Sequence, residues 1–307
     1  MSDSIPETDS PPETGLRPRT DPDTPAAQIA LNRLRYTGGA RERASADQVA
    51  VEEPLAISLC WQQDGAPRRR AFSVTMRTPG HDAELALGLL RAEGVIATRA
   101  DVLDCRLQNT AQDADSAGNE LEVTLAPGIV PDWDSVERNL ATQSSCGVCG
   151  KTSLRALALR NPPTLRDGDG WLDPAQVGAM IEAMRAQQAL FRATGGTHGA
   201  ALFDARGQLL ALREDVGRHN ALDKLLGSRL EGAQDMTQDP RQVVVLSGRA
   251  SFELAQKAVM AAVPVVIAVG APSSLAVRVA RQHDLTLLGF AGEDGFSVYH
   301  GARRLVS

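Results

Sequence analysis

The sequence predicts an α/β protein, with an N-terminal α+β subdomain followed by a three-layer α/β/α domain. Three observations carry this. The chain has 307 residues, enough for two domains at roughly 100 to 200 residues each. Its composition, 43% hydrophobic and 23% charged, is that of a globular chain with a buried core. Beyond Pro240, short valine-rich runs alternate with amphipathic runs of helix length, which implies right-handed crossovers and a partly parallel sheet covered on both faces.

Residues 1–45 are rich in Pro, Asp, Thr, Ser and Arg and show no apolar period, so a disordered tail is expected there. The α+β unit is assigned to 46–142. Ala56 to Gln62 and Arg70 to Met76 look extended around an Asp64-Gly65 turn. A helix from Asp82 to Glu93 follows, with Asp82 as its cap and Gly94 as its stop, and then strands Val102 to Leu107 and Glu120 to Leu125. Residues 143–170 form a loop and linker that carries two cysteines.

The second domain is assigned to 171–307. It opens with Asp173-Pro174 and one helix whose stripe is Val177, Met180, Ile181, Met184 and Phe191, ended by Gly195-Gly196. A hairpin (Ala200 to Phe203, Leu209 to Leu212) and a helix from Asn220 to Leu230 come next. The alternating elements are strand Val243 to Leu246, helix Phe252 to Ala262, strand Val265 to Val269, helix Ser274 to Gln282 and strand Leu285 to Gly289. In such sheets ligands bind beyond the carboxyl ends of the strands, so the turns after Leu246 and Val269 matter most.

Net charge is −6 and aromatic content only 4%, which argues against nucleic acid or an anionic membrane as partner. The longest apolar run, Ala258 to Val269, is interrupted by Pro264 and is shorter than the roughly 20 residues a spanning helix needs. The N-terminus resembles no export signal, so the cytoplasm is the expected location.

Four cysteines suit a reducing compartment. Cys60 and Cys105 stand alone in strands and read as small buried hydrophobes, whereas Cys146 and Cys149 form a Cys-x-x-Cys pair. The pair lacks the companions a zinc site needs, and no metal is expected. A zinc deaminase requires His-x-Glu before Pro-Cys-x-x-Cys; here His198 follows the cysteines, no glutamate stands two residues after it, and Ser145 replaces the proline. Gly150-Lys151-Thr152 matches only the end of a P-loop, whose first glycine falls on Ser145. A dithiol oxidoreductase stays open, as do inert thiols in a glycine loop. The remaining reading is a nucleophilic cysteine on a loop, its thiolate favoured by Lys151 and able to hold and pass on sulfur.

The second domain concentrates polar residues. In Thr194-Gly-Gly-Thr-His198, Gly195 and Gly196 let backbone approach a ligand. In Arg213-Glu-Asp-Val-Gly-Arg-His-Asn220, Arg213 and Arg218 can grip phosphate, Asp215 can accept from a guanine edge, and His219 adds a further polar group. The turns carrying Ser247, Gly248 and Arg249, and Ser273 and Ser274, both lead from a strand into a helix N-terminus that can cradle phosphate. Helix capping by Ser251, Ser273 and Ser274 is the plainer alternative.

These segments, with Ser-Ser-Cys146-Gly-Val-Cys149-Gly, Ser247-Gly-Arg-Ala-Ser-Phe-Glu253 and Ala271-Pro-Ser-Ser-Leu-Ala276, resemble those of the formate dehydrogenase accessory sulfurtransferases, the FdhD family. The resemblance covers the chain from about residue 50 onward. It implies a sulfur carrier that takes sulfur from a cysteine desulfurase and passes it to the molybdenum bis(molybdopterin guanine dinucleotide) cofactor, required for formate dehydrogenase activity. It further implies a second domain similar in fold to cytidine deaminases. Carried over by residue, Cys146 bears the persulfide and Cys149 is its partner in transfer. The segment Phe290, Ala291, Gly292, Glu293, Asp294 and Gly295 falls where the family contacts the cofactor, here with two acids and no arginine. The runner-up reading is a chaperone that binds the cofactor without sulfur chemistry. A homodimer is compatible with either.

Overall fold

The computed structural model describes residues 26–41, 43–108, 118–134, 136, 162–165, 168–231 and 239–306. The Cys146–Cys149 pair lies outside the described residues.

In β5 (Glu53–Gln63) every second side chain is apolar, and Leu55, Ile57, Leu59 and Trp61 all point into one core. Asp64 and Gly65, both at positive φ, turn the chain into β6 (Ala66–Arg77), which pairs antiparallel with β5. β7 (Val102–Leu107) and β8 (Glu120–Leu125) complete a sheet of order β6-β5-β8-β7, in which β8 runs parallel to β5. Helix α1 (Asp82–Ala92) closes this core with Leu85, Ala86, Leu89 and Leu90. Its cap differs from expectation. His81, in the left-handed region at φ 58°, occupies the N-cap, because the Asp82 carboxylate is taken by Arg77, 2.9 Å from Nε.

The stretch expected to be a disordered tail is ordered in part. β1 (Gln28–Arg33) pairs with β4 (Ser45–Ala50), and β2 (Tyr36–Thr37) with β3 (Ala40–Arg41) around Gly38-Gly39. Every residue of β1 is exposed, so backbone pairing and a glycine turn hold this hairpin together in place of the core whose absence the composition signals.

In the second sheet, β9 (His198–Phe203), β10 (Leu209–Asp215), β11 (Val243–Leu246), β12 (Val265–Ala268), β13 (Thr286–Gly292) and β14 (Gly295–His300) take the order β10-β9-β11-β12-β13-β14. The parallel pairs are β11 with β12 and β12 with β13. Helices α4 (Arg218–Glu231), α5 (Phe252–Met260) and α6 (Ser274–His283) cover one face, packing Leu222, Leu225, Ala255 and Ala280 on Leu202, Val244 and Val266. Helix α2 (Gln176–Gln187) covers the other with Val177, Met180, Ile181 and Met184. This is the three-layer arrangement that the alternating elements predict. The single helix expected up to Thr194 is broken at Gln188, and α3 (Ala189–Thr194) leaves Phe191 exposed rather than on the stripe.

Helices α1 and α4 join the two units at very close range. A Cβ on Gly88 would stand 1.9 Å from the Asp223 carbonyl oxygen, and one on Gly227 would stand 1.8 Å from that of Glu84. Only glycine permits this approach. It also explains why α4 is buried from Asn220 to Arg229, including Asp223 and Lys224.

Candidate functional site

The topology gathers the separated motifs at one end of the second sheet. β9 runs antiparallel to β10 and β11, so its first residue, His198, stands opposite Asp215 at the end of β10 and beside the carboxyl end of β11. β12 and β13 end on the same side because they run parallel to β11. Beyond the strands a backbone ladder continues. Ser247 N–H donates to Gly199 O (3.0 Å), Gly270 N–H to Gly248 O (2.9 Å) and Phe290 N–H to Gly270 O (3.2 Å). The Ser247 hydroxyl accepts from Gly199 N–H at 2.8 Å. A Cβ on Gly270 would lie 2.9 Å from Arg249 Cγ and 3.1 Å from its amide nitrogen, so glycine is what lets these two turns lie together.

Around this ladder stand His198, Arg218, His219 and Arg249. Burial, and then the charges of Arg218 and His219, push the His198 imidazole below its ordinary range, favouring the neutral ring. His219 Nε2 is 3.3 Å from Ser251 Oγ and 3.6 Å from Glu253 Oε2, and the Ser251 hydroxyl donates to the same carboxylate at 2.8 Å. The hydrogen bond to His219 is the main cause that pulls Glu253 down to about 2. Arg218 Nε is buried with no hydrogen-bond partner among the described residues. Arg249 is exposed. Together these groups place two guanidinium groups and two imidazoles around the strand ends, side chains chemically suited to an anion and to holding or giving a proton.

Several expected binding residues have roles in the fold. Asp215 is 0% exposed, and four donors fill its carboxylate: Thr78 N–H and Lys224 Nζ on Oδ2, Gly217 N–H and Asn220 Nδ2 on Oδ1. No oxygen is left for a guanine edge. Arg213 grips Glu84 of α1 with Nε and Nη2, and its Nη1 donates to Leu212 O, so it is not presented to a phosphate. Gly195, at φ 68°, is the C-cap of α3, and Gly196 lies beside Ala50 of β4. Ser273 caps α6, accepting from Ala276 N–H at 3.1 Å, and Ser274 begins that helix exposed. In contrast, the Ser251 side chain makes no cap bond.

The segment 290–295 divides. Phe290 joins the ladder through its N–H, takes φ 52° and is 60% exposed at a bulge in β13. The Ala291 side chain is buried in the α2-facing core, which leaves only backbone for a ligand. Gly292 pairs with Gly295, and the tip with Glu293 and Asp294 rests near the first turn of α2 at Gly178.

Sequence reasoning missed Thr78 and Lys224, weighed Ser251 only as a helix cap, and gave Glu253 no role of its own. Thr78-Pro-Gly-His-Asp82 carried a signal, a proline-glycine turn between a strand and a helix. Its partner segment, 137 residues away at Asp215, was invisible. Among the described residues no group of His, Cys, Asp and Glu could hold a metal ion, and no helix is long and apolar enough to cross a membrane.

Two α/β units locked helix to helix, with arginines and histidines gathered in a rim beyond the carboxyl ends of one sheet, define the class: a two-unit α/β protein with a polar strand-end site. Residues 50–306 match the sequence profile of the FdhD/NarQ family, and the chain belongs to that family. It is 45% identical over 286 residues to a protein of Mycobacterium tuberculosis named sulfur carrier protein FdhD, covering 90% of this chain and 98% of that one. A protein of the same name from Streptomyces coelicolor is 45% identical over 267 residues (84% and 89% covered), and one from Thermoplasma volcanium 38% over 267 (85% and 90%). A crystal structure from Desulfotalea psychrophila, of a protein with a proposed role as a formate dehydrogenase accessory protein, superposes with a TM-score of 0.69. It covers 92% of this chain and all of that one at 22% identity, a likeness of fold.

Proposed function

We propose that the protein is a cytoplasmic sulfur carrier serving formate dehydrogenase: it accepts sulfur from a cysteine desulfurase on Cys146 and delivers it to the molybdenum bis(molybdopterin guanine dinucleotide) cofactor held at the strand-end rim. The observation that carries this reading is the Cys146-Gly-Val-Cys149 motif in a chain whose relatives are named sulfur carrier proteins. The other two thiols support it. Burial raises Cys105 to about 12 and is the first cause that raises Cys60, so neither is disposed to act as a thiolate at neutral pH.

In the first step the Cys146 thiolate attacks the outer sulfur of the desulfurase persulfide. That S–S bond breaks, the desulfurase cysteine leaves as a thiolate, and Cys146 becomes the persulfide. In the second, the Cys149 thiolate attacks the inner sulfur and the outer one departs as hydrosulfide to the acceptor. The two cysteines end as a disulfide, which a cellular thiol reduces. The rim orients the acceptor. Arg218 and Arg249 meet phosphate oxygens, and neutral His198 is available to take a proton.

The test is mass spectrometry of the full chain after incubation with a cysteine desulfurase and cysteine. One added sulfur on Cys146 is expected; addition on Cys60 with none on Cys146 would overturn the assignment. Full formate dehydrogenase activity in cells carrying Cys146→Ala would favour the chaperone reading.

A further inference from the structure

The polar groups of Thr78, in the first unit, are all spent on the segment that carries Arg218 and His219 in the second. Its N–H donates to Asp215 Oδ2 at 3.1 Å, its hydroxyl oxygen accepts from Val216 N–H at 3.1 Å, and its carbonyl accepts from Lys224 Nζ at 2.7 Å. Lys224 Nζ returns to Asp215 Oδ2 at 2.7 Å, which closes the ring of contacts. Two residues of β6, the strand that leads into Thr78, extend the strap. The Thr75 hydroxyl donates to Asn220 Oδ1 at 3.1 Å, and Met76 O accepts from Asn220 Nδ2 at 2.6 Å. The strap therefore holds residues 215, 216, 220 and 224, on both sides of Arg218 and His219. Thr78, Asp215 and Lys224 are each no more than 2% exposed, so water cannot replace these bonds.

We infer that Thr78 is a positioning residue: through the Val216 amide it fixes the turn that aims Arg218 and His219 at the strand-end ladder, making the first unit part of the binding site although it reaches no ligand itself. This rests on the proposed role of the rim in holding the guanine dinucleotide. Phosphate recognition by a guanidinium depends on direction as well as charge, so a turn free to tilt loses affinity without any loss of cationic groups.

The test compares Thr78→Val, which keeps the shape and deletes the hydroxyl, with Thr78→Ser, which keeps the hydroxyl. Two readouts are taken on the full chain, GDP affinity by titration and the His219 ring resonance by NMR, assigned with His219→Gln. The expected result is at least about tenfold weaker GDP binding in Thr78→Val, with Thr78→Ser within about twofold of the native chain. The His219 resonance should move in the valine variant only, and adding Thr78→Val to Arg218→Ala should weaken binding no further. Native affinity and an unmoved His219 in Thr78→Val, or equal damage from serine, would overturn the inference. If Thr78→Val does not fold, Thr75→Val, which deletes one bond of the same strap, must move the His219 resonance or the inference fails. A native chain without affinity for GDP would refute the nucleotide half of the proposed function, while the resonance comparison still decides the role of Thr78.

Discussion

The seam between α1 and α4 and the rim beyond the strand ends use the same residue types for opposite purposes. Three ion pairs at and around the seam are matched and dry, while Arg229 of α4 donates to Ala261 O and has a buried Nε with no hydrogen-bond partner among the described residues. Lys224 meets Asp215 at 2.7 Å, Lys257 meets Asp223 at 2.8 Å, and Arg77 meets Asp82 at 2.9 Å, all with side chains no more than 4% exposed. At the rim, Arg249 is exposed and the His219 side chain is 36% exposed. A charge sealed against its partner fixes a fold, and a charge left open to solvent can receive a ligand. One sequence segment supplies both, since Asp215 belongs to the seam and Arg218, three residues later, to the rim.

Breaking the seam should have the largest effect. Lys224→Met leaves the Asp215 carboxylate buried without its cation and should cost about 3 to 5 kcal/mol, read as a lowered urea midpoint. Adding Asp215→Asn should recover part of that loss, since no unpaired charge then remains and the amide oxygen can still accept from the Thr78 and Gly217 N–H groups. Failure of the double variant to recover would mean that the pair does more than neutralise itself.

The smallest effect is expected at the rim, from Glu253. Its folded-state value of about 2 lies below the roughly 4.3 of an unfolded glutamate, so its contribution is fully present above the unfolded value and disappears as pH falls through the folded one. Being partly solvated, it should be worth under about 1 kcal/mol. Thermal melts of the native chain and Glu253→Gln should therefore differ slightly at pH 6 and converge near pH 2. A difference that grows on acidification would contradict the His219–Glu253 pairing.

How much of this was legible in the sequence follows the same division. β11, α5, β12 and α6 begin at the predicted residues, because valine runs and amphipathic runs are local signals. The convergence of the motifs beyond the strand ends was legible too, since it follows from the alternation of strand and helix. The fate of individual polar groups was not. Asp215 looked like a base reader because nothing near it in sequence reveals the Thr78 amide that fills it. Lys224 carried no signal because the glycines that bring α1 onto α4 are 139 positions apart, Gly88 and Gly227. β14 escaped notice because an edge strand with mostly exposed side chains shows little apolar alternation.

The central claim, that the rim receives the guanine dinucleotide end of a cofactor while the seam only holds it in place, is tested most directly by titrating the full chain with GDP and with ATP, beside Arg218→Ala. Saturable binding that favours GDP is expected, weakened about tenfold in Arg218→Ala with an unchanged urea midpoint. Equal affinity for ATP, or GDP binding untouched by Arg218→Ala, would contradict it.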